Sequence, residues 1–221
     1  MVQRDRQDDD VTYPNRIASC RSGGTFFYEN GVISVTFKSQ LLDEAAVGRA
    51  LRRLSFEIVE KNHGTEDLCL IGIRRRGVSI ARIIQDNIRA NEGVTLPAGE
   101  LDITFYRDDI EKKNDFPTVT GTAIDFDITD KKIILTDDVL FTGRTVRAAI
   151  DALFSLGRPK AIQLAVLIDR GHRELPIKPD YVGKNIPTSM NEIVKVSFPE
   201  FDGCAPAVAI YDKETDLKPR L

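Results

Sequence analysis

The chain has 221 residues, of which 42% are hydrophobic and 29% are charged, a composition typical of one globular domain with a substantial core. The formal net charge is −3, so any nucleic-acid site must be a local cluster of basic residues. No segment approaches the roughly 20 apolar residues of a membrane span, and the N-terminus has no apolar core of the signal-peptide type. We therefore expect a cytoplasmic protein with no membrane partner.

The first 39 residues differ in character from the rest of the chain. Residues 1–10 are highly charged, residues 19–24 are small and polar, and only residues 25–37 hint at a strand. We interpret residues 1–39 as a poorly ordered extension and residues 40–221 as the folded domain. An alternative hypothesis is that the native start lies further in, near Val32 or Val35.

The three cysteines, Cys20, Cys69 and Cys204, are widely spaced and odd in number. They show neither the pairing of a disulfide scaffold nor the clustering of a zinc site. We expect reduced thiols without a chemical role.

From Leu41 onward, apolar patterns typical of helices and strands alternate. Asp43 can cap a helix with an apolar stripe at helical spacing, formed by Val47, Leu51, Leu54 and Ile58. Strands are predicted at residues 68–73, 100–106, 132–137 and 161–168, and further helices from residue 77 and over residues 145–156. This alternation predicts an α/β fold with a central, mostly parallel sheet flanked by helices. Ligands of such sheets bind beyond the carboxyl ends of the strands.

The most informative segment is the run IILTDDVLFTGRT at residues 133–145. An apolar strand ends in the adjacent carboxylates Asp137 and Asp138, and a short loop of hydroxyls and glycine then enters a helix. Backbone N–H groups at a helix N-terminus attract phosphate, and a glycine lets the backbone approach closely. The carboxylates can accept hydrogen bonds from ribose hydroxyls. The run lacks the Walker pattern, and it predicts a site for a phosphorylated sugar.

This run resembles the PRPP-binding motif of type I phosphoribosyltransferases, in the form found in PyrR proteins. The resemblance to PyrR covers roughly residues 41–211 and includes ITFYRDD at 103–109 and IQLAVLIDRGHRELPIKPDYVGKNIPTS at 162–189. Residues 178–183 are also similar to purine phosphoribosyltransferases. The resemblance implies a type I phosphoribosyltransferase fold with a flexible loop and a small hood, and residues 1–39 lie outside it.

The implied reaction converts uracil and PRPP to UMP and pyrophosphate. Displacement at the anomeric carbon passes through an oxocarbenium-like state, so catalysis consists mainly of positioning and charge stabilisation. The resemblance assigns catalytic roles to Asp137, Asp138 and Arg107. It implies Mg²⁺ as cofactor, held near the two aspartates by PRPP and water with no direct protein ligand.

PRPP is expected to contact three loops. The 5′-phosphate loop would use Val139, Thr142, Gly143, Arg144 and Thr145. The pyrophosphate loop would use Arg74, Arg75 and Arg76, because three arginines before a glycine suit a diphosphate. Related enzymes often have a non-proline cis peptide in this loop, so the resemblance implies one between Ile73 and Arg75. Residues 106–121 resemble the mobile loop that closes over PRPP, with Arg107, Asp108 and Asp109 as contacts. Uracil is expected at Lys184, Asn185 and Ile186.

The resemblance also implies binding to pyrimidine-operon leader mRNA, with phosphate contacts supplying affinity and loop bases supplying specificity. The candidate RNA-binding residues are Arg52, Arg53, Arg75, His172, Arg173, Lys178 and Lys184. Members of the family often carry His at the position of Phe56, Thr at that of Arg75 and Arg at that of Lys178. An exposed Phe56 can stack on a base, whereas a buried one would only pack. His172 fits either an RNA contact or a structural hydrogen bond.

Three functional hypotheses follow. The chain is an enzyme making UMP, or an RNA-binding attenuation regulator whose nucleotide site senses UMP or UTP, and in PyrR proteins the two coexist. A purine phosphoribosyltransferase is the weaker alternative. The resemblance also implies a homodimer or a higher homo-oligomer.

Overall fold

The computed structural model describes residues 24–28, 31–104 and 122–213, with side chains from Val35 onward. The strands are β1 (Gly24–Tyr28), β2 (Gly31–Leu42), β3 (Leu68–Ile73), β4 (Ala98–Leu101), β5 (Lys132–Leu140), β6 (Ala161–Asp169), β7 (Tyr181–Asn185), β8 (Glu192–Ser197) and β9 (Ala207–Lys213). The helices are α1 (Glu44–Lys61), α2 (Arg76–Glu92), α3 (Arg144–Leu156) and α4 (Pro199–Asp202).

The central sheet is parallel, with the strand order β4-β3-β5-β6-β7. Successive side chains of β5 enter different cores: Ile134 packs with α1 and α2, whereas Ile133 and Leu135 pack with α3. This alternation follows from the two-residue period of a strand, and a strand buried on both faces explains the continuous apolar run. The predicted α/β fold with flanking helices is confirmed.

Helix α1 forms as its sequence pattern predicts. The side chain of Asp43 accepts a hydrogen bond from the backbone N of Ala46 at 2.8 Å, which satisfies one of the N–H groups that the first turn leaves unpaired. The stripe of Val47, Leu51, Leu54 and Ile58 is buried. Burial of such a stripe supplies most of the stability of an amphipathic helix.

A second, antiparallel sheet has the strand order β1-β2-β9-β8, and together with α4 we call it the hood. The predicted domain boundary between residues 39 and 40 lies inside β2, where Ser39 pairs with Ile210 and Gln40 with Ala209. Residues 35–39 therefore belong to a paired strand, because β9 supplies backbone partners that the local sequence does not reveal. Residues 1–23, 29 and 30 lie outside the described residues.

Two further expectations are corrected. β5 extends to Leu140 rather than Asp137, because Val139 and Leu140 pair with Ile168 and Asp169 of β6. Cys204 is disulfide-bonded, so the expectation of reduced thiols is wrong for that residue, whereas Cys69 is free and buried. Within the described part of the chain, no helix combines the length and apolar character that crossing a membrane requires.

Candidate active site

The candidate site lies along one edge of the central sheet. β3, β5, β6 and β7 are parallel, so the loops after them leave at the same edge. In the register of the sheet, Val139 of β5 pairs with Ile168 of β6, which pairs with Lys184 of β7. Adjacent strands are about 4.8 Å apart, so the acidic end of β5 and the end of β7 are roughly 10 Å apart. One nucleotide can therefore contact both.

The loop between β5 and α3 has the form of a phosphate site. Gly143 is the N-cap of α3 and has a φ of 94°, a left-handed conformation that favours glycine. Glycine has no side chain with which to cap the helix. The first N–H of α3, on Arg144, makes only a long bond to the hydroxyl of Thr142, so the first turn can still donate to an anion. The carbonyl of Thr142 accepts from the backbone N of Glu174 at 3.0 Å and of Leu175 at 3.2 Å, which fixes the loop against residues 174–175.

The side chains of the loop point to different partners. The hydroxyl of Thr142 accepts a long hydrogen bond from the backbone N of Arg144 at 3.4 Å. The guanidinium of Arg144 pairs with Glu174 at 2.7 Å on the surface. Thr145 and Val139 are half-buried in the same turn and strand end.

The two aspartates at the end of β5 differ in their surroundings. Asp137 is 8% exposed, and its Oδ1 accepts from the backbone N of Asp138 at 2.9 Å. Asp138 in turn accepts from the backbone N of Val139 at 2.9 Å. Burial raises the pKa of Asp138, and the positive charge of Arg76 opposes this rise. Asp138 and the guanidinium of Arg76 therefore attract each other electrostatically.

A close backbone contact holds the start of α2 beside these aspartates. A Cβ on Gly77 would lie 2.4 Å from the carbonyl oxygen of Thr136, so only glycine fits. The hydroxyl of Thr136 donates to the carbonyl of Gly77 at 2.8 Å. The loop after β3 is thereby fastened to β5 one residue before Asp137.

The three arginines after β3 have different roles. The peptide bond between Arg74 and Arg75 is cis, as predicted from the sequence. Arg74 pairs with Glu100 at 3.3 Å and with Asp102 at 3.7 Å, and Arg75 is exposed. The Nη2 of Arg76 bonds both carboxylate oxygens of Asp202, at 3.0 and 3.2 Å. The Nε of Arg76 is buried and has no hydrogen-bond partner in the described part of the chain.

The predicted uracil segment lies at the end of β7. Lys184 and Asn185 are exposed, and Asn185 pairs with Asp169 of β6. The backbone N of Ile186 donates to the carbonyl of Asp169 at 2.8 Å, so this N–H is used within the fold. Arg107, Asp108 and Asp109, the predicted contacts of the closing loop, lie outside the described residues.

The predicted RNA-binding residues fall into two groups. Arg52, Arg75, Lys178 and Lys184 are exposed. Arg53 donates to the carbonyls of Val182 and Gly183 at 2.8 and 2.7 Å, which places α1 beside Lys184. Phe56 is 50% exposed and lies one turn after Arg52 and Arg53 on α1.

Arg173 and His172 make internal contacts. Arg173 donates to the carbonyls of Ile177 and Phe141 and to the carboxylate of Asp169, at 2.9, 2.8 and 2.7 Å respectively. Its guanidinium therefore supports the 5′-phosphate loop. His172 is exposed, and its Nε2 contacts the carbonyl of Thr188, which matches the structural hydrogen bond considered from the sequence.

Sequence reasoning missed three residues around this edge. Asp169 accepts from Arg173 and from the backbone N of Gly171. Arg170 is buried and donates hydrogen bonds to the hydroxyl of Thr188 and to the carbonyls of Ser189 and Glu192. Its guanidinium carbon lies 4.1 Å from the ring centroid of Phe141. Asp202 binds Arg76 across 126 residues of sequence. A single aspartate in a four-residue helix gives no local signal, although the DR pair at the end of β6 is visible in the sequence.

An acidic strand end, a glycine-capped helix after it and an arginine loop on the neighbouring strand define the type I class of phosphoribosyltransferases. A family model described as phosphoribosyl transferase domain matches residues 38–199. Two relatives named bifunctional protein PyrR come from Caldicellulosiruptor bescii, 66% identical over 74% of this chain and 90% of its own length, and Acetivibrio thermocellus, 58% identical over 82% and 98%. The chain belongs to the PyrR family of phosphoribosyltransferases.

Solved structures with the same fold are more distant in sequence. A hypoxanthine-guanine phosphoribosyltransferase of Bacillus anthracis is 22% identical with a TM-score of 0.59, covering 78% of this chain and 97% of that one. The hypoxanthine phosphoribosyltransferase of Trypanosoma cruzi is 16% identical with a TM-score of 0.62, covering 80% and 98%. At these identities the similarity concerns the fold alone.

Proposed function

We propose that the carboxyl edge of the central sheet binds PRPP and uracil, in the geometry that the described residues provide. The chain is a uracil phosphoribosyltransferase and an RNA-binding regulator of pyrimidine-operon attenuation, as a member of the bifunctional PyrR family. The observation that carries the placement of the site is the joint position of Asp137, Asp138 and the uncapped start of α3, at the end of one strand.

The chain's own residues would divide the work as follows. The N–H groups of α3 and of the loop around Gly143 hold the 5′-phosphate. Asp137 and Asp138 accept hydrogen bonds from the ribose hydroxyls, and their negative charge favours the positive charge that develops on the sugar. The bond from the anomeric carbon to pyrophosphate breaks, the bond to N1 of uracil forms, and the N1 proton passes to the departing pyrophosphate or to water. Arg76 and the exposed Arg75 stabilise the departing pyrophosphate.

Magnesium fits this site as a partner of PRPP. The described residues contain no cluster of three or more His, Cys, Asp or Glu side chains placed to hold a metal. The two carboxylates at the end of β5 suit an ion that takes most of its oxygen ligands from diphosphate and water. Phosphoribosyltransferases generally use Mg²⁺ with PRPP. When bound, the ion would neutralise part of the pyrophosphate charge.

The RNA surface that we propose comprises Arg52, Phe56 and Lys184, with Arg75 and Lys178 as further phosphate contacts. The bonds of Arg53 to the carbonyls of residues 182 and 183 support it, because they hold α1 beside the strand that carries Lys184. An exposed aromatic ring among cations suits stacking on an unpaired base. Arg173 is a poor test residue, because its substitution would disturb the 5′-phosphate loop together with any RNA contact.

Two assays test the proposal. UMP formation from uracil and PRPP should be lost in Asp137→Asn, and hypoxanthine should not replace uracil; use of hypoxanthine with no use of uracil would favour the purine alternative. Titration of pyrimidine-operon leader RNA at fixed salt, with and without UMP, should show tighter binding with UMP, and Arg52→Ala should weaken it. We also propose that the protein is cytoplasmic and forms a homodimer or a higher homo-oligomer. Light scattering can test the oligomeric state.

A further inference from the structure

The hood contacts the candidate active site through a buried ionic cluster. Asp202 of α4 has a side-chain exposure of only 2% and binds Arg76 at 3.0 Å and Lys195 of β8 at 3.3 Å. Lys195 is itself 12% exposed, and burial lowers its pKa while Asp202 raises it. Burying the charges of Asp202 and Lys195 is costly unless they are paired and hydrogen-bonded.

The way in which Asp202 holds Arg76 leaves much of the guanidinium free. Both carboxylate oxygens accept from Nη2 alone, and Nε is buried without a partner among the described residues. The side chain of Arg76 as a whole is 32% exposed, so part of it can still meet an anion at the candidate site. The positive charge of Arg76 also acts on Asp138, whose pKa it lowers against the effect of burial.

We propose that Asp202 is a positioning residue for phosphoribosyl transfer, which anchors one edge of Arg76 so that its remaining donors face the pyrophosphate of PRPP. This inference rests on the proposed function, in which Arg76 contacts pyrophosphate. In this proposal the hood contributes to the site directly, because its short helix α4 orients a residue of the pyrophosphate loop. A pre-oriented arginine loses less side-chain freedom on binding than a free one.

The test is steady-state kinetics of Asp202→Asn with uracil and PRPP. We expect the KM for PRPP to rise about tenfold, because a misplaced guanidinium loses charge-assisted hydrogen bonds, and the KM for uracil to change less than twofold. UMP has no pyrophosphate, so its affinity in calorimetry should stay within about twofold of wild type. Asp202→Glu keeps the charge but moves the carboxylate by one methylene group, so it should recover only part of the loss. Asp212→Asn is the matched control, because Asp212 pairs with Lys38 on the same sheet, away from Arg76.

A double-mutant cycle with Arg76→Lys separates positioning from a general effect on folding, since two residues that act as one unit give non-additive changes in the KM for PRPP. An unchanged or lower KM for PRPP in Asp202→Asn, equal losses for PRPP and UMP, or additive changes in the cycle would overturn the inference. If Asp202→Asn does not fold, Asp202→Glu decides: a KM for PRPP raised more than that for uracil supports positioning, and equal values overturn it. Inactive wild-type protein, or no effect of Arg76→Gln on the KM for PRPP, would instead refute the proposed function.

Discussion

Replacing Gly77 with alanine should damage both the stability and the pyrophosphate loop of this protein. The added Cβ would lie 2.4 Å from the carbonyl oxygen of Thr136, whereas real Cβ contacts essentially never fall below 3.0 Å. The backbone of α2 or β5 must therefore move by at least about 0.6 Å. Neither can move easily, because Thr136 is fully buried and bonded to the carbonyl of Gly77.

The expected cost is larger than that of an ordinary substitution in the core. Overpacking against a side chain typically costs about 1–3 kcal/mol, and contact with a hydrogen-bonded backbone leaves no rotamer through which to relax. We estimate a loss of roughly 2–4 kcal/mol in the free energy of unfolding. In a domain of this size that lowers Tm by roughly 4–16 °C.

The matched control is Gly48→Ala on α1. A Cβ at Gly48 meets nothing within 4 Å, and alanine in a helix interior is favoured over glycine by about 0.5–1 kcal/mol. Urea unfolding should therefore show opposite signs for the two variants. The KM for PRPP should rise in Gly77→Ala and stay unchanged in Gly48→Ala. A Gly77→Ala protein as stable as wild type would refute the close-contact argument.

Three further predictions concern titration and exposure. Burial raises the pKa of Asp138 above its value in the unfolded chain, although the charge of Arg76 opposes this rise. Ionisation of Asp138 therefore costs folding stability as the pH rises through the raised pKa. Asp138→Asn should stabilise the ligand-free protein at neutral pH in thermal melts and should lower UMP formation. Burial also raises the pKa of Cys69 to about 11, so its thiol should react with a disulfide reagent at pH 8 only after unfolding. Phe56→Ala should weaken the binding of leader RNA about five- to 150-fold if one base stacks on the ring. Phe154→Ala, which removes a similarly exposed phenylalanine on α3, should leave RNA affinity unchanged.

Local patterns predicted most elements of the central domain, but they missed β7 and placed the strand β4 at residues 100–106, where the structure has Ala98–Leu101. The helical stripe of α1 and its aspartate cap are properties of neighbouring residues, and the structure confirms both. The run from residue 133 to 145 was equally informative, because a buried strand, two carboxylates and a glycine turn each have a local physical meaning. Even there, the extension of β5 to Leu140 required knowledge of its partner strand β6.

The hood was beyond the reach of local patterns. β2 obtains its register from β9, at the other end of the chain, so residues 35–39 resemble an extension until their partner is known. The role of Asp202 likewise depends on its contact with Arg76, which lies 126 residues away in the sequence. The sequence predicted Arg53 and Arg173 as RNA contacts, which assumes that their guanidinium groups are available to a ligand. In the structure both are bonded to backbone carbonyls within the fold.

These internal bonds link the two activities of a PyrR-type protein to one framework. Arg173 joins the end of β6 to the 5′-phosphate loop, and Arg53 joins α1 to β7 beside the predicted uracil segment. A nucleotide that orders the loop and β7 therefore acts on residues bonded to the proposed RNA surface. Coupling requires that a ligand favour one arrangement of such a framework over another, and the bonds of Arg53 to the carbonyls of residues 182 and 183 connect α1 directly to the strand that carries the predicted uracil segment.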